Sequence, residues 1–152
     1  MEIERKFLIK SIPENQKIEK SIRIEQYYIC RDDNKIIRIR KIDDVFNIGI
    51  KQGGGMIRFE KEIEISKKDF EELKKLAPDN KIIKTRHIVR YNKYDIEIDE
   101  FDGNHKGLVI AEIEFSSESE AKQFNPPSWF GVEVTNNILY TNSNLSKTQL
   151  VP

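Results

Sequence analysis

Apolar and charged residues alternate with a period of two along most of this chain, the spacing of strands with unlike faces. At the start, Glu2, Glu4 and Lys6 share one face, and Ile3, Arg5 and Phe7 share the other. The same alternation predicts strands over 1–8, 18–30, 35–41, 45–52, 56–65, 81–91, 94–101 and 107–115, with a short last one over 131–135. Turn residues separate them at Asp32-Asp33-Asn34, Asp43-Asp44, Asn92-Lys93 and Asp102-Gly103-Asn104. Gly53-Gly54-Gly55 reads as a hairpin loop, because it lacks the Gly-Lys-Ser/Thr ending of a phosphate-binding P-loop and the helix that follows one.

Two stretches change period. After Ser66, Phe70, Leu73, Leu76 and Ala77 recur at helical spacing until Pro78. Ser117-Glu118-Ser119-Glu120 is a capping box opening a short helix with Ala121 and Phe124, ended by Asn125-Pro126-Pro127. A polar C-terminal segment has room for one more short helix around Leu145, and whether it plugs one end of the fold is open at this level. Eight or nine strands in meander order with helices inserted predict a mostly β (α+β) protein. The expected form is an eight-stranded antiparallel closed β-barrel, one domain over 1–152.

In an ordinary small barrel the aliphatic face fills the lumen. Three features favour the inverse here. Basic and acidic positions sort by strand, with Arg38/Arg40, Lys51 and Lys84/Arg86 against Glu2/Glu4, Glu60/Glu62/Glu64, Glu97/Asp99 and Glu112/Glu114. The amphipathic helices need an aliphatic sheet surface, and only the outside can offer one. A lumen with this many charges is tolerable only when wet and sign-paired. The expectation is a charged tunnel.

Composition narrows the partners. In 152 residues, 26 Lys plus Arg balance 26 Asp plus Glu, which argues against a general nucleic-acid or acidic-membrane binder. No apolar run approaches the roughly 20 residues of a membrane-spanning helix. The single cysteine, Cys30, permits no internal disulfide and reads as a packing residue beside Tyr27 and Tyr28. His87 and His105 fit no triad spacing and read as structural. A soluble cytoplasmic protein, monomer or homodimer, is expected, with no nucleic-acid or membrane partner.

Converging Arg and Lys neutralise an extended chain of phosphoryl groups, Arg through paired hydrogen bonds and Lys as a point charge. Clustered carboxylates hold Mg²⁺ or Mn²⁺, which polarise water for in-line attack. Phosphoryl transfer needs positioning and neutralisation more than a covalent nucleophile.

The Glu2-Ile3-Glu4-Arg5-Lys6 stretch resembles the N-terminal Glu-x-Glu-x-Lys signature of the CYTH proteins, or triphosphate tunnel metalloenzymes. The likeness extends through Ile37-Arg38-Ile39-Arg40, Gly49-Ile50-Lys51, Arg58 to Glu64, Lys84-Thr85-Arg86, Glu97 to Phe101, Ala111 to Glu114 and Gly131 to Thr135. The resemblance implies turnover of a small-molecule triphosphate with Mg²⁺ or Mn²⁺. By position it assigns Glu2, Glu4, Glu112 and Glu114 to the metal. It assigns Lys6, Arg38, Arg40, Lys51, Arg58, Lys84 and Arg86 to the triphosphate. Glu60, Glu62 and Asp99, with Lys6, fall to catalysis, and whether Glu60/Glu62 or Glu62/Glu64 act is open. Within the family an inorganic triphosphatase fits best. An adenylate cyclase, or a thiamine triphosphatase with Trp129, Tyr27 or Tyr28 as platform, are the alternatives, beside a non-catalytic polyphosphate- or nucleotide-binding module.

Overall fold

The computed structural model describes residues 2–32, 34–54, 56–77 and 81–146. Met1, Asp33, Gly55 and Pro78, each used in the expectations above, lie outside the described residues. Eight strands form: β1 (Glu2–Leu8), β2 (Ile18–Arg31), β3 (Lys35–Ile42), β4 (Val45–Gly54), β5 (Ile57–Ile65), β6 (Lys81–Tyr91), β7 (Tyr94–Phe101) and β8 (Val109–Glu114). They close into an antiparallel barrel in the order β1-β5-β4-β3-β2-β6-β7-β8. The expected meander therefore holds in two runs, β2 to β5 and β6 to β8. Strand β1 does not join β2; it seals the barrel between β5 and β8.

Because β2 pairs with β6, the chain must cross the outside of the barrel after β5. Helix α1 (Lys67–Lys74) lies on that crossing, started by Ser66, whose hydroxyl accepts from the Asp69 amide at 3.0 Å. Its buried Phe70 packs with Tyr27, Ile39, Phe46, Ile48 and Ile65 on the outer face of the sheet. Burying a phenylalanine so contributes about 2–3 kcal/mol. Helix α2 (Glu118–Gln123), capped by Ser117, covers a second outer cluster that includes Val89, Ile96, Ile98, Ile113 and Phe124. The aliphatic faces point outward, as the inverted arrangement requires.

The turn expected at Asp102-Gly103-Asn104 holds, as a 3₁₀ turn over Gly103–His105 between the antiparallel β7 and β8. Three local expectations are corrected. Strand β4 runs through Gly54, pairing Gly53 with Arg58 and Gly54 with Ile57, so the glycine stretch belongs mostly to the ladder. Cys30 is exposed, not packed. The strand expected over 131–135 makes only one bridge, Phe7 to Glu133. Strand β5 meets β1 only at Glu2↔Arg58 and Ile3↔Ile57, which leaves the short Lys6–Leu8 edge for this segment. It docks there through Gly131 N to Leu8 O (2.7 Å), Leu8 N to Val132 O (2.8 Å) and Val134 N to Lys6 O (2.8 Å). A Cβ at Gly131 would stand 2.6 Å from the Leu8 carbonyl oxygen, so glycine is what permits the approach.

Helix α3 (Asn142–Leu145), capped by Thr141, lies across one end of the barrel. Leu145 and Tyr140 pack there with Tyr28, Ile82, Phe101, Leu108 and Ile110. Tyr28, Ile82, Phe101 and Ile110 share the inward parity of the charged residues, so an apolar stopper fills part of this end. No described helix is long and apolar enough to cross a membrane.

Candidate active site

The ladders bring the charged faces of seven strands together inside, and β2 adds Ile22, Ile24, Gln26 and Tyr28 to the same side. Register pairs Glu4 with Glu114 and Lys6 with Glu112. It pairs Lys51 with Glu60, Glu97 with Glu112, and Arg86 with Asp99. The central cavity measures about 210 Å³ and is lined by Glu2, Lys6, Arg38, Arg40, Lys51, Arg58, Glu60, Glu62, Arg86, Glu97, Glu112 and Asn142. No apolar side chain is among them. Of the three β5 carboxylates, Glu60 and Glu62 line the cavity and Glu64 does not.

The six cations and five carboxylates of this wall interlock. Arg38 donates to Glu60 at 3.2 Å and lies 3.6 Å from Glu62. Gly49 stands between those strands in register with both residues, and its missing side chain leaves Arg38 room to reach across. Arg40 donates to Glu62, and Arg86 lies 2.8 Å from Glu97. Arg58 donates to Glu2 at 3.0 Å and pairs with Glu4. Lys51 lies 3.4 Å from Glu2 and 3.8 Å from Glu60. Lys6 lies 3.9 Å from Glu4.

Behind this wall Asp99 spends both oxygens on two cations. Lys84, wholly buried, donates to Oδ2 at 2.7 Å, and Arg86 donates to Oδ1 at 2.8 Å and Oδ2 at 3.0 Å. Burial pushes the Asp99 carboxyl up, but Arg86 and Lys84 more than offset it and hold it down to about 2. Burial pulls Lys84 down to about 7 against the attraction of Asp99. Of the predicted set, Lys84, Asp99, Glu4 and Glu114 do not line the cavity itself; Glu114 lines its wide mouth.

The other titrations follow the same forces. Burial, then the neighbouring Arg38 charge, lowers Lys51 from 10.5 to about 8. Burial and repulsion from Arg38 lower Arg40 to about 10. Glu2 is raised by burial and by a hydrogen bond it shares with Glu60. Glu97 is raised by burial and Glu114 by burial and the Glu2 charge, whereas Lys6, Arg86, Lys51 and Arg58 outweigh burial and hold Glu112 to about 2.

The Lys51 shift makes a testable pH limb. Its ammonium is present below about 8 and lost above it, so anion binding weakens as pH rises through that value. With metal saturating, kcat/KM for tripolyphosphate is expected to fall above about pH 8. Lys51→Arg should move that limb out of range, and an identical profile in the variant would remove Lys51 from the titration.

Glu2 and Glu60 stand close enough to share a proton beside Lys51, and Glu4 and Glu114 are directly opposed across their strands. Hard oxygen donors of this kind fit Mg²⁺ or Mn²⁺. Among the described residues no three acidic, histidine or cysteine groups converge on one point.

Sequence reasoning assigned no role to Glu97 or Asn142. Glu97 already shared a face with Asp99 in the alternation. Asn142 gives no such signal, because only the docking of α3 brings it to the tunnel. Tyr27 and Trp129 stand outside, against Phe70 and Phe130, and are no platform for an organic group in the tunnel. His105 is buried and holds the Leu145 carbonyl through Nε2, and His87 lies between Ser21 and Glu100; neither lines the cavity.

Residues 1–144 match the CYTH domain family model. The chain is 34% identical over 147 residues to an inorganic triphosphatase of Nitrosomonas europaea, covering 95% of this chain and 96% of that protein. It is 35% identical over 148 residues to an inorganic triphosphatase of Acetivibrio thermocellus, covering 96% and 93%. The crystal structure of an inorganic triphosphatase superposes with a TM-score of 0.73 at 31% identity, covering 100% of this chain and 97% of that one. This chain belongs to the CYTH domain family.

Proposed function

We propose that the protein is a metal-dependent triphosphatase that hydrolyses inorganic tripolyphosphate to pyrophosphate and phosphate. The observation that carries this reading is the wholly polar wall of the 210 Å³ cavity, six cations against five carboxylates, which offers an organic group nothing to pack on. An adenylate cyclase or thiamine triphosphatase would need such a surface. A pure anion binder would need the cations without the carboxylates.

Arg38, Arg40, Arg58 and Arg86 would grip the phosphoryl oxygens through paired donors, with Lys6 and Lys51 as point charges. Near-balanced charge leaves the wall unable to neutralise a tripolyphosphate alone, so the anion and a divalent cation belong together in the cavity. Of the expected ligands Glu2, Glu4, Glu112 and Glu114, the two that line the cavity, Glu2 and Glu112, would hold Mg²⁺ or Mn²⁺ there, which when bound supplies charge neutralisation and a polarised water. Glu60 and Glu62 orient the attacking water and accept its proton as its oxygen bonds the terminal phosphorus. The bridging P–O bond opposite breaks, and its electron pair leaves with pyrophosphate. Asp99, with both oxygens engaged, serves here as a positioning residue that fixes Arg86. A single domain, a cytoplasmic home and a monomeric or homodimeric state go with this reading.

The test is orthophosphate release from tripolyphosphate and from ATP, with Mg²⁺, Mn²⁺ or chelator. Rapid chelator-sensitive release from tripolyphosphate, slower from ATP, is expected. Cyclic AMP and pyrophosphate from ATP, with no turnover of tripolyphosphate, would overturn it.

A further inference from the structure

The cavity opens at both ends, and the two openings carry opposite charge. One mouth, reached past Glu97, is lined by Glu19, Asp95, Glu97 and Glu114 against only Lys20 and Lys93. At the other end Lys6 and Arg58 line both the central cavity and a vestibule of about 340 Å³. This vestibule runs under the 135–144 segment, beside the apolar stopper. Arg31 joins the two cations there, and Asp32 is the one carboxylate among the described residues lining it. The rest is largely neutral hydroxyl and amide, including Asn136 and Thr141. With each shared residue counted once, at its opening, formal charge along the axis runs from −2 at the open mouth, through 0 in the centre, to +2 in the vestibule.

We propose that the vestibule is an anion port: the phosphate chain enters, and the phosphate products leave, past Lys6 and Arg58. The divalent cation enters by the acidic mouth. Opposite ions then never compete for one passage. An anion approaching the mouth meets repulsion from four carboxylates, whereas at the vestibule it meets three cations and donors that need no proton. The Arg31 guanidinium is fixed for this task, donating to the Ser143 carbonyl at 3.1 Å and lying over the Tyr28 ring.

The inference rests on the triphosphatase reading, and the experiment separates the two. Asn136 is exposed on the vestibule and outside the proposed catalytic set. At low ionic strength and saturating metal, Asn136→Glu is expected to lower kcat/KM for tripolyphosphate about three- to tenfold, with kcat little changed. The loss should vanish at high salt, and Asn136→Lys should raise kcat/KM. At the other mouth, Glu19→Lys should leave kcat/KM unchanged and raise the metal concentration needed for half-activity. Calorimetric titration with pyrophosphate under chelator should show weaker binding to Asn136→Glu, a readout that survives even if the protein turns nothing over. Unchanged kcat/KM and pyrophosphate affinity in Asn136→Glu, or a larger gain in kcat/KM from Glu19→Lys than from Asn136→Lys, would overturn the port. Absence of orthophosphate release would instead overturn the triphosphatase reading. Circular dichroism checks that each variant is folded.

Discussion

Asp99→Ala is expected to cost about 3–5 kcal/mol of folding stability, the range for breaking a buried ion pair from one side. The Lys84 side chain is 0% exposed and that of Asp99 5%, so the substitution leaves a buried lysine without its counter-charge, forced either to carry an unpaired ammonium or to give up its proton. Arg86 loses both of its bonds to Asp99 and, among the described residues, keeps only its ion pair with Glu97. Denaturant unfolding measures the loss directly, and a change below about 1 kcal/mol would mean that water reaches Lys84. The double variant Lys84→Met/Asp99→Leu should recover most of the stability, since an apolar pair of similar volume removes both desolvation penalties. Its kcat/KM should stay depressed, because Arg86 is left with Glu97 as its one ion-pair partner among the described residues. That split separates positioning from packing. The pH sense is checkable too. Asp99 titrates at about 2 folded against 3.8, so its stabilisation is present above 3.8 and is lost as pH falls towards 2.

Much of this was legible in the chain because a strand reports both its faces. Glu2, Glu4 and Lys6 against Ile3 and Phe7 is a period-two signal that survives folding, and the same parity marked the charged face of every strand except β2. Helix starts were legible for an equally local reason, as Ser66 and Ser117 satisfy amides three residues on. Strand order was not. Nothing in the first eight residues says that β1 closes the barrel between β5 and β8, because pairing partners are chosen by long-range packing and closure. The segment 131–135 alternates like a strand, yet only the free edge at Lys6–Leu8 decides how much ladder it makes.

The site divides in the same way. Residues on regular strands were found by parity, including Arg38, Arg40, Glu60 and Glu62. Asn142 was not, since it reaches the tunnel from a four-residue helix whose placement depends on Leu145 and Tyr140 packing under the barrel. Parity also cannot say how deep a residue sits. Lys84 and Arg86 look alike in sequence, but Lys84 is sealed behind Asp99 while Arg86 faces the cavity.

Glu60→Gln/Glu62→Gln is expected to tighten tripolyphosphate binding in chelator about tenfold or more while cutting metal-dependent kcat about 10²- to 10³-fold. In the substrate-free wall the carboxylates already occupy the cations that a triphosphate needs. Glu60 takes Arg38 and neighbours Lys51, and Glu62 takes Arg40. A triphosphate must displace them, and the freed carboxylates would then face an anion across a cavity of about 210 Å³ unless a divalent cation joins them. Metal and triphosphate binding are therefore coupled, each strengthening the other by the same factor, on the order of 5- to 150-fold in the wild type. Neutral glutamines release the guanidinium groups and remove the repulsion, so the metal-free complex gains and the coupling shrinks. They also remove the acceptor for the water's proton, so turnover falls. Calorimetric titrations of tripolyphosphate with and without Mg²⁺ give the coupling directly. Weaker metal-free binding in the double variant would mean that Glu60 and Glu62 hold the arginines in their binding geometry instead of competing for them.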